Sequence, residues 1–107
     1  MIEQKLLLAD KFFPDVIEKR KLGTIRKSKR DINPGWLLLE ATDKTCGSIN
    51  VYVTHVTYTS MEYVTDEDAK LDGFNNVDEL MNVLKEFYPD ISWYDIVTIV
   101  RFVYKDN

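Results

Sequence analysis

The alternation of hydrophobic and polar positions divides the chain into five strand-like and three helix-like segments. Short apolar or β-branched runs, which are typical of strands, occur at residues 6–9, 22–26, 36–41, 48–59 and 94–103. Apolar residues at helical spacing and helix-end signals predict helices at residues 12–20, 65–72 and 76–88. The predicted order is β-α-β-β-β-α-α-β, which indicates an α+β domain with a mixed or antiparallel sheet.

Two of the predicted helices carry capping residues at their ends. Thr65 precedes a run of acidic residues, and Asn76 precedes Glu79 by three positions. Both are therefore expected to accept a backbone hydrogen bond at a helix N-terminus. Gly73 is expected to end the first of these helices in the left-handed conformation, and Pro89 ends the second.

The longest predicted strand, residues 48–59, has apolar or aromatic side chains on both faces. Val51, Val53 and His55 share one face, whereas Tyr52 lies on the other. Strands covered on both sides are expected in a small barrel, so the predicted fold is a curled β-barrel of about five strands with two to three helices packed around it. His55 is predicted to be a packed or hydrogen-bonded core histidine.

Composition places the chain among ordinary globular domains. It has 107 residues, 45% of them hydrophobic and 30% charged, and we predict one domain over residues 1–107. The single cysteine, Cys46, excludes an internal disulfide and is predicted to be a bystander in the hairpin loop at 42–47. One His and one Cys cannot form a zinc site of the usual kind, so no metal or cofactor is predicted. The sequence shows no signal peptide or membrane span, and we expect a cytoplasmic protein.

The charge of the chain is unevenly distributed. Seven of the twelve residues at 19–30 are Lys or Arg and none is acidic, although the net charge is −4. We call residues 19–30 the basic strip. Such a polarised charge distribution favours an anionic ligand at one place. The alternatives are that Lys19, Arg20 and Lys21 are helix-end cations, or that the strip is a solvated edge strand.

Three residues of the basic strip form a candidate reactive group. The hydroxyl of Thr24 is a nucleophile if a base removes its proton, and Lys21 is such a base only if its pKa is lowered by burial or by neighbouring cations. Arg26 lies on the same strand face as Thr24 and is suited to hold an anion or polarise a carbonyl. In a continuous strand Lys21 and Thr24 point to opposite faces. They meet only if Lys21 lies in the turn before the strand, or if a bulge intervenes at Gly23.

The order of several short motifs resembles the ASCH domain family from about residue 12 to residue 103. The motifs are a helix followed by Lys21-x-x-Thr24-Ile25-Arg26, then Pro34-Gly35 before an apolar strand, Leu71-Asp72-Gly73-Phe74, a helix ending at Tyr88-Pro89, and the closing strand 97–102. The resemblance implies a PUA-like β-barrel with a cleft above it that binds RNA or nucleotides. Small single-domain members include an amidohydrolase that removes the acetyl group from 4-acetylcytidine. In those enzymes a Lys is the base, a Thr the nucleophile and a Glu the acid.

Carried over by position, the resemblance implies Lys21 as base, Thr24 as nucleophile and Asp72 as acid. This chain departs from the family pattern at Lys19, where a Gly is usual, at Asp72, which replaces the longer Glu, and at Trp36, where Asp is frequent. Without the resemblance, Asp72 would be interpreted as a residue that merely ends a helix before Gly73.

The resulting functional prediction is an ASCH-domain protein that binds a modified nucleoside or single-stranded RNA and deacetylates 4-acetylcytidine. The alternative is a non-catalytic RNA-binding module, or an RNA-processing factor, that uses the basic strip. The predicted ligand-binding residues are Arg20, Arg26, Lys27, Lys29 and Arg30, and the segment at 27–30 is expected to be a flexible rim. Four aromatic residues are candidates either for stacking a base or for the core: Trp36, Trp93, Tyr52 and Tyr58. No membrane partner is predicted, and the oligomeric state is left open.

Overall fold

The computed structural model describes residues 4–43 and 47–105, so Cys46 lies outside the described residues. The strands are β1 (Lys5–Leu8), β2 (Gly23–Lys27), β3 (Gly35–Ala41), β4 (Ser48–Ser60) and β5 (Ile96–Val103). The helices are α1 (Phe13–Ile17), α2 (Asp66–Leu71) and α3 (Val77–Phe87), with short 3-10 turns at Asp10–Phe12 and Met61–Tyr63. The predicted order of strands and helices is confirmed. No helix within the described ranges is long and apolar enough to cross a membrane.

The five strands form one mixed sheet in the order β1-β3-β4-β5-β2. β1 runs parallel to β3, and the remaining neighbours are antiparallel. The two edge strands line the same cavity, since Leu8 of β1 and Thr24 of β2 both face it. The sheet is therefore curled into a half-barrel, and the predicted α+β barrel with three helices around it is confirmed.

Two hydrophobic clusters fill the domain, and β5 contributes to both. Val100 and Phe102 pack inside the curl with residues of β1, β3 and β4. Val97 and Ile99, on the opposite face of β5, pack against residues from α2 and α3. This double burial explains why the β5 sequence is apolar at successive positions. It also places helices α2 and α3 beside the edge strand β2.

The predicted helix caps form as expected. The Asn76 side chain accepts a hydrogen bond from the Glu79 backbone N–H at 2.9 Å. The Thr65 hydroxyl accepts one from the Asp68 N–H at 3.2 Å, and the Asp68 carboxylate accepts one from the Thr65 N–H at 3.1 Å. Gly73 has a φ of 93°, which a residue with a side chain adopts only with strain. The turn at Gly73 directs the chain away from α2 immediately after Asp72.

Helix α1 is shorter than the sequence pattern predicts, because its C-terminus forms a compact turn. The helix ends at Ile17, and the N–H groups of Arg20 and Lys21 both donate to the Asp15 carbonyl oxygen, at 2.8 and 3.2 Å. Lys19 has a φ of 62° in this turn. The interpretation of Lys21 as a helix-end cation is therefore wrong, since Lys21 lies in the connection that precedes β2.

His55 is exposed, so the prediction of a core histidine is also wrong. The pairing of β4 with β5 shifts by one residue between Val53 and His55. Such a bulge turns the following side chains to the other face of the strand. His55 therefore leaves the buried face that Val51 and Val53 share, and its Nδ1 lies 3.0 Å from the Thr54 hydroxyl.

Candidate active site

Lys21 is held in place through its own backbone. Its N–H donates to the Asp15 carbonyl oxygen at 3.2 Å, and its carbonyl oxygen accepts a hydrogen bond from the Tyr104 hydroxyl. The next residue, Leu22, donates to the Leu71 carbonyl oxygen at 2.8 Å. The side chain of Lys21 points inward, leaving the residue 3% exposed. A turn that is tied to α1, α2 and the chain end thus presents one lysine to the interior.

Thr24 and Arg26 share a face of β2, as the strand period predicts. The Nε of Arg26 donates a hydrogen bond to the Thr24 hydroxyl oxygen at 3.0 Å. The two terminal guanidinium nitrogens of Arg26 have no hydrogen-bond partner among the described residues. Because Arg26 also lines the cavity, these two nitrogens are available to a ligand.

Gly23 allows β2 to lie close against β5. A Cβ built on Gly23 would lie 2.8 Å from the Val100 carbonyl oxygen, closer than real Cβ atoms approach such an atom. This contact determines how far β2 lies from β5 immediately before Thr24.

Asp72 enters the site from the end of α2, and both of its carboxylate oxygens are engaged. The Nζ of Lys21 contacts Oδ1 and also donates to the Asp72 carbonyl oxygen at 3.2 Å. The backbone N–H of Ile25 donates to Oδ2 at 3.1 Å. Asp72 is only 7% exposed. It therefore links the lysine turn to the middle of β2.

Burial controls the protonation of Lys21. Removal from water lowers the pKa of Lys21 to about 7, the nearby charge of Arg26 adds to this effect, and Asp15 opposes it. The contact with the Asp72 carboxylate favours the ammonium form of Lys21. Burial likewise lowers the pKa of Arg26 from its usual value, which is so high that the guanidinium stays charged at neutral pH. A neutral Lys21 is thus accessible near pH 7.

These residues form the polar end of a cavity of about 160 Å³. Its polar lining consists of Lys21, Thr24, Arg26, Thr42 and Asp72. Its apolar lining comes from β1, the first 3-10 turn, β2, α3 and the residues flanking α3: Leu7, Leu8, Ala9, Phe12, Ile25, Phe74, Leu80, Val83, Leu84, Phe87 and Tyr88. The Phe12 ring meets the Phe74 ring edge-on at 5.8 Å. The cavity therefore combines an aromatic wall with one polar corner.

The structure brings Lys21, Thr24, Asp72 and Arg26 to this cavity. Arg20 lies outside it on the surface, where it pairs with Asp15 at 2.8 Å and with Glu18. The remaining predicted ligand-binding residues, Lys27, Lys29 and Arg30, also lie outside the lining. Within the described ranges, no cluster of three or more His, Cys, Asp or Glu residues is arranged to hold a metal ion.

The segment at 27–30 is fixed to the sheet, so the prediction of a flexible rim is wrong. The buried Thr98 hydroxyl donates to the Ser28 carbonyl oxygen at 2.7 Å and accepts a bond from the Arg30 N–H at 2.8 Å. The Arg30 side chain turns back, with its Nε donating to the Lys27 carbonyl oxygen and its Nη2 to the Tyr88 hydroxyl. These bonds hold the segment beside the cavity.

Sequence reasoning missed most of the apolar wall, the polar lining residue Thr42 and one supporting residue. Phe74 and Tyr88 belonged to the quoted motifs, but nothing in the pattern assigned them to a cavity. Tyr104, which binds the Lys21 carbonyl oxygen, is 83 positions away and carried no sequence signal. Three of the aromatic candidates are partly exposed rather than core residues: Trp36, Tyr58 and Trp93.

Comparison with known proteins identifies the fold through solved structures. No family model matches this sequence, and no curated protein sequence is significantly similar to it. Protein EF3133 of Enterococcus faecalis, described as a member of family DUF984, aligns over 100% of this chain and 86% of its own with a TM-score of 0.69 and 14% identity. An ASCH domain from Lactobacillus crispatus aligns over 85% of this chain and 68% of its own with a TM-score of 0.69 and 9% identity.

A third structure, the hypothetical protein PH0355, aligns over 95% of this chain and all of its own with a TM-score of 0.66 and 18% identity. At such identities the likeness shows the fold alone. The chain has an ASCH-like fold, as the sequence motifs predicted.

Proposed function

We propose that this ASCH-like protein is an amidohydrolase that removes the acetyl group from 4-acetylcytidine. The observation that supports the proposal is the meeting of Lys21, Thr24 and Asp72 in one cavity wall. They come from a turn, a strand and a helix end. Burying a lysine together with a carboxylate costs desolvation free energy, and titratable groups perturbed in this way cluster at functional sites. Asp72 contacts Lys21 despite being shorter than the Glu of the family pattern.

The first half of the reaction forms an acyl-enzyme. Neutral Lys21 takes the proton of the Thr24 hydroxyl, and the Thr24 oxygen attacks the acetyl carbon. The terminal nitrogens of Arg26 stabilise the negative oxygen of the tetrahedral intermediate. The C–N bond then breaks, and protonated Asp72 gives its proton to the leaving amine of cytidine. The proton on Lys21 returns to Asp72 through their direct contact.

The second half regenerates the enzyme. Lys21 accepts a proton from water, whose oxygen attacks the acetyl-Thr24 ester. The tetrahedral intermediate expels the Thr24 oxygen, which takes that proton back from Lys21, and acetic acid leaves. The overall reaction converts one amide and one water molecule into one amine and one molecule of acetic acid. The apolar lining of the cavity holds the cytosine ring and excludes competing water from the first half of the reaction.

The test is acetate release from 4-acetylcytidine by the purified protein. We expect turnover by the wild type, and loss of at least roughly a thousandfold in kcat for Thr24→Ala and Lys21→Ala, because each removes a group that acts on the reacting atoms. Lys105→Ala is the control and should match the wild type, because Lys105 is exposed and its side chain lies over the Tyr52 ring outside the cavity. No turnover by the wild type, or full activity in Thr24→Ala, would contradict the proposal.

A second candidate function is non-catalytic RNA binding by the basic strip. It is favoured by Lys29, whose Nζ lies 5.1 Å from the centre of the exposed Tyr58 ring. Here RNA affinity should fall steeply with salt, and joint replacement of Lys27, Lys29 and Arg30 by Gln should flatten that dependence. Salt-independent affinity, or no binding of single-stranded RNA at low salt, excludes this function.

A further inference from the structure

The Tyr88 hydroxyl has a partner for its oxygen but none for its hydrogen. The oxygen accepts a hydrogen bond from Nη2 of Arg30 at 3.1 Å. The hydrogen has no acceptor among the residues that the structure describes. Tyr88 is half-buried and lines the cavity. A hydroxyl whose oxygen already receives a charged donor presents its own hydrogen to the next group that it meets, so Tyr88 is a free donor at the cavity wall.

Arg30 maintains this arrangement because its own backbone and side chain are fixed. Its N–H donates to the Thr98 hydroxyl at 2.8 Å, and its carbonyl oxygen accepts a hydrogen bond from the Tyr58 hydroxyl at 2.8 Å. Its Nε donates to the Lys27 carbonyl oxygen, also at 2.8 Å. The guanidinium group is therefore preorganised to donate to Tyr88, and little ordering is needed when a ligand arrives.

Arg26 adds two more donors near Tyr88. Both of its terminal nitrogens lack a partner in the described part of the chain, yet no buried side-chain nitrogen or oxygen there is unpartnered. The two nitrogens therefore reach open space rather than the core. Burial lowers the pKa of Arg26, and the phenol of Tyr88 partly opposes this change, which it can do only from close by.

The acceptors at this end of the cavity are already engaged. Both carboxylate oxygens of Asp72 are bonded, and the Thr24 hydroxyl oxygen receives Nε of Arg26. The groups left free, which are the terminal nitrogens of Arg26 and the hydroxyl of Tyr88, are donors. A ligand therefore fits this end only if the edge that it presents carries acceptors, since each donor left unpaired on desolvation costs free energy.

From these contacts we infer that Tyr88 is a specificity-determining residue, whose hydroxyl donates to the acceptor edge of the pyrimidine ring. In an acetylated cytosine this edge consists of the two neighbouring acceptors N3 and O2. Arg30 is the positioning residue that keeps the Tyr88 hydrogen directed at that edge. A benzene ring of the same size carries no acceptor and would leave Tyr88 unpaired, so it is disfavoured. The inference rests on the proposed function, because it assumes that the acetylated ring enters the cavity.

The test compares two acetamides on rings of the same size, 1-methyl-4-acetylcytosine and acetanilide, of which only the first has ring acceptors. Dissociation constants for both ligands are measured with Thr24→Ala protein, which does not turn over, and with the double variant that adds Tyr88→Phe. We expect Tyr88→Phe to weaken binding of the cytosine ligand roughly tenfold, because one hydrogen bond is lost, and to change acetanilide binding by less than about twofold.

Matched variants separate the hydroxyl from the ring and from the fold. Tyr88→Phe retains the ring that forms part of the cavity wall. Tyr94→Phe makes the same change at a tyrosine that is 81% exposed and outside the lining, and it should alter neither dissociation constant. Arg30→Gln should also reduce the preference for the cytosine ligand. It should have no further effect on that preference once Tyr88 is replaced by Phe, because Arg30 acts through the hydroxyl.

The outcomes distinguish this inference from the proposed function. If Tyr88→Phe weakens both ligands equally or weakens neither, while the wild type deacetylates 4-acetylcytidine, the role of Tyr88 is overturned and the proposed function stands. If the cytosine ligand binds with the expected dependence on Tyr88 but the wild type releases no acetate, the proposed hydrolysis fails and the recognition by Tyr88 stands. Additive losses from Arg30→Gln and Tyr88→Phe would overturn the positioning role of Arg30.

Discussion

Lys21 shows at the scale of a single residue how surroundings determine chemistry. A solvent-exposed lysine has a pKa near 10.4 and is a poor base at neutral pH. In this protein the side chain is 3% exposed, and its pKa falls to about 7. Burial accounts for most of that change, and the charge of Arg26 adds to it. The identity of the residue was visible in the sequence, but its protonation was not.

The lowered pKa of Lys21 predicts the pH dependence of the proposed deacetylation. The base must be neutral, so kcat/KM should fall as the pH drops below the pKa of Lys21, and the midpoint of this acidic limb should lie near pH 7. Arg26→Gln removes a charge that lowers the pKa of Lys21, so the midpoint should move to higher pH even if the maximum rate falls. A pH–rate profile of both proteins measures this. A midpoint that does not move, or that moves to lower pH, would be evidence against Lys21 as the base.

Tyr104 is predicted to position Lys21 without touching the substrate. Burial raises the pKa of its hydroxyl to about 12, so it remains a donor to the Lys21 carbonyl oxygen at neutral pH. Tyr104→Phe keeps the edge-on contact with Phe102. It should lower the free energy of unfolding by about 1 kcal/mol. It should also lower kcat roughly tenfold with little change in KM, since small displacements of a reacting group are costly.

Urea unfolding and steady-state kinetics measure the effect of Tyr104→Phe. Tyr94→Phe is the control because Tyr94 is 81% exposed, and it should change neither quantity. Unchanged kcat in Tyr104→Phe would show that the backbone of Lys21 holds its position without this bond.

At the scale of elements, strand β2 is the part that brings the site together. Thr24 and Arg26 lie on its inner face, Ile25 binds Asp72 through its N–H, and Gly23 sets the distance to β5. The strand was predictable from its β-branched and apolar residues. Its partner was not, because β2 pairs with β5, which begins about 70 residues later. The short length of α1 likewise followed from the turn at Asp15 rather than from apolar spacing.

Gly23→Ala is predicted to displace strand β2 and the site residues that it carries. The added Cβ would lie 2.8 Å from the Val100 carbonyl oxygen, so β2 must move away from β5. We expect a loss of about 1–3 kcal/mol in the free energy of unfolding, together with reduced deacetylation. Chemical denaturation measures the first effect, and Ser48→Ala, at an exposed end of β4, is the control. Equal stability of Gly23→Ala and the wild type would show that the contact can relax freely.

At the scale of the whole molecule, the cavity exists because the sheet curls. It lies where the two hydrophobic clusters meet, with Leu8 from one and Leu84 from the other in its wall. Its volume of about 160 Å³ is close to the size of an engineered cavity that holds one benzene molecule. One six-membered ring therefore fits, and this favours a pyrimidine over a purine.

The cavity volume predicts a preference among acetylated bases. N6-acetyladenosine carries the same amide on a larger fused ring, so its kcat/KM should be roughly a hundredfold lower than that of 4-acetylcytidine. Leu84→Ala removes part of the apolar wall and enlarges the cavity, so it should narrow the difference in kcat/KM between the two substrates. Competition assays with both substrates measure the ratio. Equal rates for the two bases in the wild type would mean that the base does not enter the cavity.

The sequence by itself determined the order of strands and helices, the helix caps, the basic strip and four of the five polar residues that line the cavity. Those features follow from local spacing and from the chemistry of single residues, aided by a resemblance in motif order. Only the tertiary structure decided that Lys21 contacts Asp72 across 51 positions, that a bulge exposes His55, and that the segment at 27–30 is fixed. Burial, pKa and rigidity depend on neighbours that are distant in the chain, and no local pattern records which neighbours those are.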